Sequence, residues 1–104
     1  MNEFVDLKGA SGTAYRFRLL PEGVEHLRIA GNYAFLKARA GGFTVVQVGA
    51  TSDLSQARSQ LPPEERPRGV HLYTRLNVAR ATREAEHEDL IANYGAADVR
   101  GEET

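Results

Sequence analysis

Apolar and basic residues alternate at period two over Tyr15-Arg16-Phe17-Arg18-Leu19, the pattern of a half-buried strand. Pro21-Glu22-Gly23 marks a turn after it. The chain then runs from Leu27-Arg28-Ile29 through Ala30-Gly31 into Tyr33-Ala34-Phe35-Leu36-Lys37, and Gly41-Gly42 separates this arm from Phe43-Thr44-Val45-Val46-Gln47-Val48. Two β-rich arms about a short glycine-containing connection predict an antiparallel hairpin. Past Gly49 the period changes. Thr51 or Ser52 can cap a helix from Ser52 to about Leu61, with Leu54, Ala57 and Leu61 along one face. Pro62-Pro63 ends it, because proline cannot donate to the helical ladder. The segment 62–69 reads as a polar, proline-rich loop, and Val70 to Leu76 as another strand.

Asn77 is placed to cap a long helix reaching Tyr94, with Gly95 where a left-handed C-terminal cap belongs. Its apolar stripe is Val78, Ala81, Ala85, Leu90, Ile91 and Tyr94, thin in the first half. Residues Asp98 to Thr104 carry too little apolar content to pack and read as a disordered tail. The order is strand, hairpin, helix, strand, helix. It predicts one α+β domain over residues 1–97, a small antiparallel sheet covered by two helices.

Composition narrows the function classes. A chain of 104 residues holds one core. The formal net charge is −1, so any contact with nucleic acid must come from a local patch. The absence of cysteine excludes disulfides, thiolate nucleophiles and cysteine-ligated zinc. The start, Met1-Asn2-Glu3-Phe4-Val5-Asp6, lacks the apolar run of a signal peptide, and no stretch approaches the ~18 apolar residues of a membrane helix. A cytoplasmic location without membrane partners is the expectation.

Three pieces, in order and spacing, resemble the GIY-YIG endonuclease domain. Gly31-Asn32-Tyr33-Ala34-Phe35 stands where that family has its Gly-Ile-Tyr strand. Val46-Gln47-Val48-Gly49-Ala50-Thr51-Ser52-Asp53-Leu54 is similar to the Tyr-Ile-Gly strand and its entry into the first helix. Glu88-Asp89-Leu90-Ile91-Ala92-Asn93-Tyr94 is similar to the late helix, whose Leu-Ile pair follows the metal-binding glutamate. Together they span roughly residues 27–95, and the strand at Tyr15 is an addition before them.

The resemblance implies a phosphodiesterase site of two tyrosines, a helical arginine and one glutamate holding Mg or Mn. There a tyrosine helps activate water, the arginine neutralises charge on the phosphate and the metal stabilises the leaving oxygen. Tyr33 matches the first tyrosine. Gln47 occupies the second position and cannot act as a phenol-type base. The arginine position falls on Ala57, with Arg58 one place late, a turn of about 100° on a helix. The glutamate position falls on His87, flanked by Glu86 and Glu88. The expectation is therefore a degenerate site at Tyr33, Gln47, Arg58 and His87, needing no cofactor, in a non-catalytic binding module for nucleic acid or a protein. The alternative is a divergent metal-dependent nuclease that binds Mg or Mn through Glu86 or His87.

The other chemistry is plainer. His87 shares a helical face with Leu90, Ile91 and Tyr94, as a partly buried histidine with a hydrogen-bond partner would. The acids of 84–89 read as a solvated helix face, with Arg80 and Glu84 as an i, i+4 ion pair. No nucleophile elbow or phosphate loop is present. The basic residues carry more. Arg16 and Arg18 share one strand face, and with Arg58 they are the candidate contacts to DNA or RNA. The same face serves equally for solubility or edge protection. A protein partner, a homodimer through an open sheet edge, or a small oligomeric protein of unrelated role completes the set of readings.

Overall fold

The computed structural model describes residues 2–94. The expected Gly95 cap and the tail from Asp98 lie outside them.

Five strands form one antiparallel sheet: β1 (Phe4–Lys8), β2 (Ala14–Leu20), β3 (Gly31–Arg39), β4 (Gly42–Thr51) and β5 (Val70–Leu76). Their order is β1-β2-β5-β3-β4, with a 3₁₀ helix at Leu54–Gln60, a second at Pro63–Glu65 and the helix α1 at Arg80–Tyr94. The α+β class and the antiparallel sheet are as the pattern predicts. The hairpin is β3–β4, and the last predicted strand has the observed bounds of β5.

Four details differ from the sequence reading. β1 has no counterpart in it. The segment after Gly49 winds as a 3₁₀ helix capped by Asp53, whose carboxylate accepts from the Ser55 N–H at 3.0 Å. Asn77 caps nothing: its side-chain N–H₂ donates to Asn32 Oδ1 at 2.9 Å and Glu86 Oε1 at 2.8 Å, and α1 starts three residues later. The first half of α1 buries Arg83, while Ala81 and Ala85 face solvent. Arg83 earns that place by donating to the carbonyls of Asn77 and Val78 at 3.2 and 2.9 Å, closing the turn before its own helix.

Directly paired residues point to the same side of a sheet. On the inner side lie Val5, Leu7, Tyr15, Phe17, Ala34, Leu36, Val48 and Tyr73, packed on Leu90 of α1. On the outer side Tyr33, Phe35, Val46 and Leu72 pack under Leu54, Ala57 and Leu61 of the first 3₁₀ helix. A β-bulge at Val46 makes the second cluster possible. Phe35 faces Gln47 and Leu36 faces Val45, so Val46 is the extra residue, and its side chain joins the outer core.

The β1–β2 turn is pinned to α1 by Asp89. Its carboxylate accepts from the Ser11 N–H (2.9 Å), the Ser11 hydroxyl (2.6 Å) and the Tyr15 hydroxyl (2.7 Å). The Ser11 bonds, then the Tyr15 bond, hold the Asp89 carboxyl below its usual value. A folded-state pKa lowered in this way contributes stability above the unfolded aspartate pKa, and the contribution is lost as pH falls below about 4. The Tm of Asp89→Asn should therefore lie below that of the parent at pH 7. The gap should close on acidification towards pH 3, and a gap independent of pH would show that Asp89 acts through shape alone.

Candidate functional site

Of the positions marked by the resemblance, Tyr33 and Gln47 come together and the rest do not join them. Tyr33 is buried, 6% exposed, with Phe35 edge-on at 5.9 Å and its ring across Gly49, its direct partner on β4. A Cβ at position 49 would stand 2.2 Å from Tyr33 Cζ, so glycine there is a packing requirement. Burial pushes the Tyr33 phenol up, and the Gln47 amide beside it offsets part of that rise. A phenol kept neutral under a helix is poorly placed to take a proton from water.

Arg58 leaves the 3₁₀ helix on the outer side and is spent on the β2–β3 loop. Its Nη2 donates to the carbonyls of Pro21 (3.0 Å) and Val24 (2.9 Å), and Nη1 lies 3.6 Å from Glu22. Arg66 closes the far end of that helix. Its Nε and Nη2 donate to Leu61 O (2.6 Å) and Arg58 O (2.9 Å), and its guanidinium lies 5.3 Å over the Phe35 ring.

Glu86 and His87 are on α1, across the sheet from Tyr33. Glu86 receives Arg75 through both oxygens (2.9 and 3.4 Å) and Asn77 through one (2.8 Å). Asn77 and the buried Asn32 tie this cluster to the helix, Asn32 donating to Arg83 O at 3.1 Å. Arg75 also stacks 5.4 Å over Tyr15. Glu86, Arg75, Asn77 and Asn32 are thus bonded to one another or to the backbone. His87 is half-buried on the same helix. Among the described residues no group of three or more His, Asp or Glu is placed to hold a metal ion.

The outer side is different where no helix covers it. One row of direct partners crosses the whole sheet there, Phe4–Arg18–Thr74–Tyr33–Gly49. Its Tyr33 end is sealed by the 3₁₀ helix. Its Phe4 end is open. Phe4 is 44% exposed and carries the guanidinium of Arg16 at 5.5 Å and of Arg18 at 5.8 Å from its ring centre. A cleft of about 420 Å³ borders this point and is lined by Arg16, Arg18, Leu20, Glu25, His26, Leu27 and Leu76 among others. A second of about 470 Å³, lined by Arg28 and Arg58, shares Leu20, Glu25 and His26 with it. Arg16, Arg18, His26, Arg28 and Arg58 therefore border two neighbouring clefts with shared lining, together the outer groove. Acids temper it: Asp6 pairs with Arg16 at 3.2 Å and Glu3 with Arg18 at 3.0 Å, all four side chains at least half exposed.

Among the described residues no helix is long and apolar enough to cross a membrane. No known family, curated protein or solved structure matches the chain.

Proposed function

We propose that this chain is a non-catalytic, GIY-YIG-like binding module whose ligand is nucleic acid held in the outer groove. The outer side itself carries the reading: the exposed Arg16, Arg18 and Arg28 border its clefts, and the first two lie over an exposed aromatic ring. Arginines supply phosphate contacts and an aromatic face supplies a platform for a base. Placement supports the absence of cleavage. Tyr33 and Gln47 lie under a helix on one side of the sheet, and Glu86, committed to Arg75 and Asn77, lies on the other. Among the described residues, the Glu86 carboxylate is thus across the sheet from a phosphodiester that reaches Tyr33.

Titration with labelled single- and double-stranded DNA tests this, with and without Mn²⁺. Two or three phosphate contacts predict roughly seven- to twentyfold weaker binding of single strands at 200 mM salt than at 50 mM, and roughly twelve- to fortyfold for duplex. Cleavage should be absent with either metal condition. Cleavage by well-folded protein would restore the nuclease alternative. A second reading, a protein partner, is favoured by Leu27 and Leu76, which are 74% and 60% exposed on the same groove. Failure to bind any nucleic acid would turn the groove over to that reading.

A further inference from the structure

Resting on the groove as a nucleic-acid site, we infer that its ligand is single-stranded and that Glu3 and Asp6 occupy the places of its phosphates until it binds. A duplex keeps its base faces stacked, so the one flat surface Phe4 offers is of use only to an unstacked base. Phe4 stands on β1 directly opposite Arg18, and Arg16 lies two residues along β2 on the same side, about 7 Å away along the strand. Both guanidiniums rest over the ring, 5.5 and 5.8 Å from its centre, so the ring becomes an aromatic platform when they turn to phosphates spaced along an extended chain.

The carboxylates fit the same geometry. Asp6 is the direct partner of Arg16, and Glu3 reaches Arg18 from the residue before Phe4, so each arginine already holds one carboxylate oxygen beside the ring. Both pairs are open to water, with side chains 50–67% exposed. Exposed pairs of this kind are weak and are screened by salt, so a phosphate can displace them. A strand binds by exchange: its phosphates take the guanidiniums, the carboxylates swing out to solvent, and a base covers Phe4. No covalent step is involved.

The test uses the full chain and fluorescein-labelled mixed-sequence DNA and RNA strands of about twelve nucleotides, alongside the same DNA as a duplex. Single strands should bind about tenfold more tightly than the duplex. Phe4→Leu keeps the side chain apolar and should lose about tenfold on single strands and little on duplex. Glu3→Gln and Asp6→Asn should each tighten binding about threefold. Glu84→Gln supplies the control: it removes an equally exposed, equally paired carboxylate, bound to Arg80 at 2.9 Å on α1, and should change binding less than twofold. Circular dichroism confirms that each variant is folded. Equal binding of strand and duplex with Phe4→Leu unaffected would overturn the inference and leave the groove as a general phosphate site. Glu84→Gln matching Glu3→Gln and Asp6→Asn would overturn the exchange. No binding of any nucleic acid at 50 mM salt would overturn both the inference and the groove reading beneath it.

Discussion

Replacing Glu86 by alanine should destabilise the protein by on the order of 2–4 kcal/mol, and Mn²⁺ should leave the melting of the parent protein unchanged. The side chain is 15% exposed and Arg75 is 28% exposed. Removing one member of a fully buried pair costs about 3–5 kcal/mol because the other charge is left uncompensated, and the residual exposure of Arg75 reduces that here. Two further losses add to it. Asn77 is left with Asn32 as its side-chain partner, and Arg75 keeps only the Arg16 carbonyl at 3.3 Å and its stacking on Tyr15. Glu84→Ala, on the exposed side of the same helix, should cost at most about 0.5 kcal/mol. Urea unfolding of the two variants separates the cases. A Glu86→Ala variant as stable as Glu84→Ala, with parent melting raised by Mn²⁺, would return Glu86 to the role of a metal ligand.

Gly49→Ala should cost about 2–3 kcal/mol, at the upper end of what overpacking a core usually does. The added methyl meets Tyr33 Cζ and Oη at 2.2 Å, and the ring has no room to retreat: the 3₁₀ helix lies above it and Phe35 beside it. The double variant gives the sharper measurement. With Tyr33→Leu in place the obstacle is gone, and adding Gly49→Ala should then cost under about 1 kcal/mol, a coupling energy of at least about 1 kcal/mol. Gly42→Ala provides the comparison, since a Cβ there meets nothing within 4 Å. Additive effects of Gly49→Ala and Tyr33→Leu would mean that the ring does not rest on the glycine. Strong coupling would assign the Tyr33–Gly49 pair to packing, whatever its resemblance to a catalytic pair.

The sheet was legible in the sequence wherever the period was clean. Tyr15 to Leu19 alternates, and so does β2 in the fold, with Arg16 and Arg18 outward as expected. The hairpin and β5 were equally plain. β1 escaped because Val5 and Leu7 are only two inward apolar positions, too few for a period to show, and Phe4 points the other way. The front of α1 misled for a different reason. Its alanines sit at helical spacing, but a buried place there is taken by Arg83, whose value lies in two carbonyl groups that helical periodicity does not register.

The site was harder to read, because it depends on which side of the sheet each residue faces. Tyr33 and Gln47 are fourteen positions apart and meet through strand pairing alone. The bulge at Val46 keeps Gln47 on the Tyr33 side while shifting what precedes it, and nothing in Phe43 to Val48 announces it. Arg16 and Arg18 were visible as a pair, whereas the ring between them was not, since Phe4 belongs to the strand that went unread.

The strand order has a consequence for how this chain comes to exist at all. β1 and β2 form one hairpin, β3 and β4 another, and within the sheet the two are joined by β5, which pairs with β2 on one side and β3 on the other. Until Val70 is made, the strand that joins the two ribbons in the sheet is missing. Each shows a bare inner edge of amides and carbonyls during synthesis. β5 pairs with β3 along all seven of its residues and with β2 at Leu72, Tyr73 and Thr74, so the two halves of the sheet are fused only once it has been made.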